Sequence, residues 1–274
     1  MAAPPKFVYT LELEMGCWYV GVSVDPDVRE GSHVRGRGAL WTAVHKPVRR
    51  QEVHRGGGFD EEMMTRKYMA LYGLDNVRGG STCLLHLDDF TRERIGRELR
   101  FVRDFKGGRV GISCFVLQAG KFFVCGTAAY GSRHGGARGE GAQWVDLYAP
   151  VIELYTVSSS DDPFMLDRFT KELMSQHGID NVRGGSYAAI DLGADVIDAL
   201  VTEIVSATGA CLRCHRPGHM ISYCPLRHCV ASSAVTPPVL RASEACATGA
   251  GDATEAEADA IEEEIWRGTT YLGF

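Results

Sequence analysis

The sequence predicts an α+β protein of two similar units, each a small antiparallel sheet with flanking helices, followed by a compact metal-binding loop and a low-complexity acidic tail. Three observations predict this. The hexapeptide NVRGGS occurs at Asn76–Ser81 and again at Asn181–Ser186, and an identical box at a long fixed offset signals a duplicated unit. In both copies β-type alternation and helical periodicity follow one another in the same order. Near the end, Cys211, Cys214, His219 and Cys224 stand at the spacing C-x2-C-x4-H-x4-C, which suits metal ligation and not core packing. The units are expected at 7–106 and 111–207, the metal loop at 209–226 and the tail at 231–274.

The repeat extends beyond the hexapeptide. Phe59, Thr65, Met69 and Gly73 match Phe164, Thr170, Met174 and Gly178, while Gly36, Gly38 and Trp41 match Gly139, Gly141 and Trp144. Arg29 matches Arg133. In the first unit, Phe7 to Glu14 alternates, Gly16 turns the chain, and Trp18 to Ser23 returns as a second strand. Gly111 to Leu117 and Phe122 to Thr127 are the second pair. A glycine-rich loop leads to short extended runs near 48–53 and 151–157. Asp60 is expected to cap a helix reaching Tyr72, with Glu61 and Glu62 in its first turn, an apolar stripe of Met64, Tyr68 and Leu71, and Gly73 at its end. Last helices are expected over 90–105 and 194–206. The first faces inward with Ile95, Leu99 and Val102 and carries Arg94, Arg97, Arg100 and Arg103 elsewhere; the second keeps Val196, Leu200 and Ile204 but carries Asp195, Asp198 and Glu203.

Composition bounds the function. The chain has 274 residues, 45% apolar and 23% charged, with a net charge of -6. The tail accounts for that charge, because residues 1–230 hold 27 side chains of each sign. Within them Val28 to Arg55 carries seven Arg or Lys against two Glu, and a second basic cluster runs from Arg92 to Arg109. Local patches, and not net charge, set the field that a phosphate backbone meets. No apolar run is long enough to span a membrane, and the start MAAPPKF has no signal-peptide pattern. Nine cysteines, mostly in apolar surroundings, fit thiols in a reducing intracellular compartment, cytoplasm or nucleus.

Three thiolates and one imidazole close a tetrahedral shell around Zn²⁺. The stretch CLRCHRPGHMISYC is too short and polar to bury a core, so structural zinc would be its folding energy. With Gly218 before His219, it resembles the CCHC zinc knuckle of nucleic-acid-binding proteins. That resemblance implies binding of single-stranded RNA or DNA, with Leu212 and Met220 as an apolar platform and Arg213, Arg216 and Arg227 as phosphate contacts. The family often has an aromatic at Leu212 and a glycine at His215.

The body resembles a second family. Tyr9 on one strand, Tyr19-Val20-Gly21 on the next, then Arg29 and His33, look like a GIY-YIG domain. The resemblance implies a three-stranded sheet with flanking helices. It also implies Mg²⁺-dependent phosphodiester cleavage, with a tyrosine as base, an arginine on the phosphate, and a helix glutamate on the metal. Alignment of the apolar stripe puts Thr65 at the glutamate position and Thr170 in the second unit; Glu61 or Glu62, one turn away, is expected to be displaced by about 5 Å, too far to substitute. In that second unit Ser113, Phe123 and Cys125 replace the two tyrosines and the motif glycine. Both units are therefore expected not to cut, and the expected function is zinc-dependent binding of single-stranded nucleic acid. The alternatives are an endonuclease active in the first unit through Tyr9, Tyr19, Arg29 and His33, and a protein-interaction scaffold with structural zinc. For Arg78 and Arg183 in the repeated box, phosphate binding and pairing with a carboxylate are both open. Trp41 and Trp144 are expected to pack beside the glycine loop.

Overall fold

The computed structural model describes residues 4–104, 110–126, 140–148, 150–160, 162, 164–211, 213–216, 219 and 223–225. β1 (Phe7–Leu13) and β2 (Trp18–Ser23) form an antiparallel hairpin in register from Phe7↔Ser23 to Glu12↔Trp18. Its turn places Met15 and Gly16 at φ 60° and 71°; only glycine takes such angles without a penalty. α1 (Pro26–Val34) follows, capped by the Asp25 carboxylate, which accepts from the Val28 N–H at 3.0 Å. α2 (Leu40–Val44) leads into β3 (Pro47–Arg55), antiparallel to β1. α3 (Gly58–Tyr72), β4 (Val77–Gly79) and α4 (Asp89–Asp104) complete the first half, with sheet order β3-β1-β2-β4.

The same strand order recurs. β5 (Val110–Leu117), β6 (Lys121–Gly126), β7 (Pro150–Ser160) and β8 (Val182–Gly184) form a sheet of order β7-β5-β6-β8, with α5 (Glu140–Tyr148), α6 (Phe164–His177) and α7 (Ala194–Thr208) beside it. The last strand of each sheet is parallel to its neighbour, so the sheets are mixed and four-stranded, not antiparallel and three-stranded. The extra strand is the repeated box itself, whose three residues are too few to display alternation.

Several local expectations change. Asp60 lies inside α3 and not at its cap: its carboxylate reaches back to the Gly57 N–H at 2.7 Å, the reciprocal half of a capping box. Leu71 is 65% exposed and leaves the core to Met64, Tyr68 and Met69. Arg78 binds neither phosphate nor carboxylate. It is buried, donates to the carbonyls of Leu74, Val77, Leu84 and Leu85, and lies 4.5 Å over the Trp41 ring. Arg183 repeats this with Ile179, Val182, Ala189 and Ile190 over Trp144. Both tryptophans are core residues, as expected, and anchor through Nε1 to the carbonyls of Trp18 and Phe122. No helix among the described residues is long and apolar enough to cross a membrane, and no disulfide joins the cysteines whose side chains are described.

The two halves meet through a buried ionic cluster. Glu203 on α7 accepts from Arg66 at 2.5 Å, Arg94 at 2.7 Å and Lys171 at 2.6 Å. Its counterpart Glu98 on α4 accepts from Arg66 at 2.9 Å, Arg94 at 2.5 Å and the Tyr187 hydroxyl at 2.9 Å. Arg94 and Glu203 are therefore buried centre residues and not members of solvent-facing charged stripes. Around them Arg168 pairs with Asp60 at 2.7 Å and Lys67 with Asp162 at 2.8 Å. Buried charges persist only when paired and hydrogen-bonded, so this cluster fixes how the halves dock.

The pairing is asymmetric at one point. Tyr187 follows the second NVRGGS box and reaches Glu98, but the first box is followed by Thr82, too short to reach Glu203. A cleft of about 480 Å³ opens there, lined by Ser81, Thr82, Arg94, Asp198 and Glu203, and the Arg94 Nε has no hydrogen-bond partner. Thr82→Tyr is expected to fill this cleft and donate to Glu203. It should raise stability by about 1 kcal/mol, read as a rise in the urea midpoint. A lower midpoint would mean that the second half's packing does not transfer.

Candidate active site and metal loop

Four of the expected residues converge in the first half. Tyr9 on β1, Tyr19 on β2, and Arg29 and His33 on α1 surround one centre, with Tyr9 and His33 fully buried. The Tyr9 hydroxyl meets His33 Nε2 at 2.9 Å, and His33 Nδ1 meets Thr42 Oγ1 at 2.7 Å. The Thr42 hydroxyl spends its own proton on the Ala39 carbonyl at 2.8 Å. Thr42 therefore accepts from His33 Nδ1–H, which leaves Nε2 as an acceptor for the Tyr9 O–H. Thr42, which lies between Trp41 and Ala43 in no recognisable motif, sets the tautomer.

Glycines create the room. A Cβ at Gly21 would stand 2.5 Å from the Tyr9 hydroxyl, and one at Gly38 would collide with the His33 ring. The Tyr-x-Gly glycine is thus a steric requirement of the tyrosine phenol opposite it.

Electrostatics keep the pair neutral. Burial, aided by the Arg29 charge, lowers His33 to about 4. Burial raises Tyr9 to about 12, opposed by the Arg29 guanidinium, which contacts Tyr9 and Tyr19. The phenol keeps its proton at neutral pH, and the imidazole is free to accept it.

Thr65 is fully buried, donates to the Glu61 carbonyl at 2.7 Å and lies against Gly79 of β4. Glu61, one turn earlier on α3, lies within charge-coupling range of the centre. Its charge acts on Tyr9, Tyr19 and Cys83, and Arg29 and Lys6 act on it. Burial first, then the neighbouring Glu62, raises Glu61 to about 8, opposed by the Gly80 N–H at 3.3 Å. A half-buried carboxylate with a shift of this kind is a group that a cation would relieve. Glu62 serves another purpose: it accepts from the Ser81 N–H and hydroxyl and so holds the Arg-Gly-Gly turn. Asp167 does the same for Ser186 at 2.8 and 2.6 Å. The apolar stripe could not distinguish the adjacent Glu61 and Glu62, because the choice depends on which way α3 is rotated.

In the second half the Glu61 position is Leu166, buried in the core, and the Tyr19 position is Phe123. No acid or phenol stands at either place. Arg133 and the side chains of Ser113 and Cys125 lie outside the described residues.

At the other end of the chain Cys211, Cys214, His219 and Cys224 come together, with their ligand atoms all within 4.8 Å of one another and Cys214 Sγ 3.2 Å from His219 Nε2. Metal–ligand bonds of about 2.0–2.3 Å in a tetrahedron separate ligands by roughly 3.3–3.8 Å, and a set this compact could hold one ion with small side-chain shifts. Burial acts to raise the Cys211 thiol, yet the N–H groups of Cys214 and Arg213 outweigh it and bring it down to about 6. His215 adopts φ 57°, which gives the reason for a glycine there in zinc knuckles. His215→Gly should relieve about 1 kcal/mol of left-handed strain and tighten metal binding about fivefold, measured by competition with a chromogenic chelator. Unchanged affinity would mean that the strain is absent. Arg213 and Arg216 are exposed on this loop, whereas Leu212, Met220, Arg227 and the tail 231–274 lie outside the described residues.

Comparison with known proteins decides the lineage. UPF0213 proteins of Neisseria meningitidis serogroups C and B are each 36% identical to this chain over 64 residues, covering 23% of the chain and 68% of the relative. The serogroup A protein is 34% identical over the same span. The chain belongs to the UPF0213 family. Membership supports a GIY-YIG-like domain within it. No protein-family model matches the chain, and no solved structure matches it. A UPF0213 relative matched over 64 residues accounts for less than a quarter of this chain.

Proposed function

We propose that this UPF0213 member carries two tandem GIY-YIG-like units, of which the first is a metal-dependent phosphodiesterase acting on nucleic acid and the second a non-cutting partner. The Cys3His loop is a zinc-held knuckle for single strands. The observation that carries this is the convergence of Glu61 with the Tyr9–His33–Thr42 chain and Arg29. On this reading Glu61 takes the carboxylate role that the Thr65 hydroxyl cannot fill.

The residues act as follows. Once the site opens to bring a phosphate to the buried Tyr9 hydroxyl, a water attacking phosphorus gives its proton to the Tyr9 oxygen while the Tyr9 proton passes to His33 Nε2. The His33 imidazolium, unfavourable in this buried place beside Arg29, then releases the proton to the departing oxygen or to solvent. Arg29 stabilises the charge that develops on the phosphoryl oxygens. Glu61 would supply a hard oxygen ligand suited to Mg²⁺. When bound, that ion provides Lewis-acid stabilisation of the phosphate.

A Mg²⁺-dependent assay on supercoiled plasmid and on single-stranded DNA and RNA tests the proposal. Tyr9→Phe and Arg29→Ala should each slow cleavage about 100-fold or more while leaving gel-shift affinity within a few-fold. Wild-type protein that shifts nucleic acid without cutting it would restore the binding-only reading. Protein that does neither at low salt would favour a scaffold.

A further inference from the structure

We infer that the cleft between α4 and α7 is a binding site for a small phenolic amine. Its ring enters the place that a tyrosine side chain fills in the second half, its hydroxyl reaches Glu203, and Asp195 and Asp198 hold its ammonium group at the mouth. None of these residues belongs to the Tyr9 centre, so the site is independent of the phosphodiesterase reading.

The repeat defines the place. An offset of 105 residues relates Ser81 to Ser186, Ile95 to Leu200 and Glu98 to Glu203. Ile95 and Leu200 are both fully buried, so α4 and α7 turn equivalent faces inward. After the second box, the buried Tyr187 donates its hydroxyl to Glu98 at 2.9 Å, and its ring lies 5.2 Å from Lys171 Nζ. After the first box stands Thr82, whose hydroxyl turns back to the Gly79 carbonyl at 2.8 Å and so is spent within its own turn. The cleft left beside it, about 480 Å³, has the size of a small-molecule site.

The lining sets the ligand chemistry. Burial opposes charge on Glu203, yet Lys171, Arg94 and Arg66 hold its carboxyl well below the usual range, so it is ionised at neutral pH. Its Oε1 accepts from Arg66 and Arg94 and its Oε2 from Lys171. Two carboxylate oxygens accept about four hydrogen bonds, which leaves room for one more donor. Glu98, its counterpart, gives such a position to the Tyr187 O–H. Arg94 supplies the complement. It lines the cleft, is 6% exposed, and its Nε–H has no acceptor among the described residues. Arg94 NH1 stands 2.7 Å from Glu203 Oε1, so guanidinium and carboxylate are neighbours. A phenol oxygen both donates and accepts, and can serve the two together. Phe90 and Ala199 offer apolar surface to the ring. Asp195 and Asp198 are exposed, one turn apart on α7, and Arg94 is already paired with Glu98 and Glu203, so the mouth favours a cation.

Calorimetric titration of the full chain with tyramine tests this, with phenethylamine lacking the hydroxyl and p-cresol lacking the amine. We expect one tyramine per chain, phenethylamine about tenfold weaker, and p-cresol about threefold weaker. Thr82→Tyr, which puts the chain's own phenol in the cleft, should abolish binding. Thr202→Trp, at an exposed position on the rim, should do the same by blocking entry and decides the matter if Thr82→Tyr does not fold. Asp195→Asn with Asp198→Asn should bring tyramine down to p-cresol and leave p-cresol unchanged. No binding at millimolar tyramine, equal affinity for phenethylamine, or binding that survives the blocking variant would overturn the site.

Discussion

Glu61→Gln is expected to abolish cleavage and, in the same protein without divalent metal, to raise the melting temperature. Burial and Glu62 hold the Glu61 carboxyl up at about 8 against an ordinary value of 4.5. The folded chain therefore keeps a proton that the unfolded chain gives up. Stability falls as pH rises through that interval, because the unfolded state releases the proton first. A neutral glutamine of the same shape removes the penalty, so the melting-temperature gain should be small near pH 4.5, grow up to pH 8, and then level. Cleavage should fall about 100- to 1,000-fold, the range for loss of a group that stabilises transition-state charge. Mg²⁺ should stabilise the wild type and leave the variant unmoved. Cleavage retained in Glu61→Gln, or a variant that melts earlier at pH 8, would remove Glu61 from the site. The combination of lost activity with gained stability is the signature of a group placed for function at the expense of the fold.

Glu203→Ala is expected to be among the most destabilising single changes in the body. It strips the acceptor from Arg66, Arg94 and Lys171 together, all of them buried. Removing one partner from a buried ionic group costs about 3–5 kcal/mol, a large fraction of the 5–15 kcal/mol that typically holds a domain folded. Urea titration should show a much lower midpoint. It should also show one transition in the wild type, since the cluster belongs to both halves. The double variant Glu203→Leu with Lys171→Met should recover part of the loss, because paired charges replaced together by apolar groups leave fewer uncompensated cations. A cost under about 1 kcal/mol for Glu203→Ala would place the cluster in effective contact with water, and two separate transitions would mean that the halves fold independently.

Much of this molecule was legible in one dimension. The ligand spacing at 211–224 named the four metal-loop residues, and the structure brings their ligand atoms together. Tyr9, Tyr19, Arg29 and His33 were readable from their order on strand, strand and helix, and they share one centre. The repeated hexapeptide anticipated two sheets of one strand order. Other features were hidden for specific reasons. Glu61 and Glu62 are neighbours with the same side chain, and only the rotation of α3 against β4 leaves one coupled to Arg29 and the tyrosines and ties the other to Ser81. Thr42 looks like any residue of a short helix until the His33 ring arrives beside it. Arg94 and Glu203 fit the periodicity of solvent-facing charge, yet the docking of the halves buries both.

The sequence by itself determined which chemistries were present: a thiolate and imidazole set at fixed spacing, two phenols on paired strands, and an arginine and histidine one helical turn apart. These depend on short-range geometry, where 3.6 residues per turn and alternation along a strand leave little freedom. The tertiary structure alone decided which glutamate of α3 lies near the tyrosines, which charges are neutralised inside, and that the last turn of α7, just before the metal loop, packs against the start of α3. Those outcomes depend on how helices rotate and pack across a hundred or more residues of intervening chain. Packing of that kind is set by the sum of many weak contacts and leaves no local pattern in the sequence.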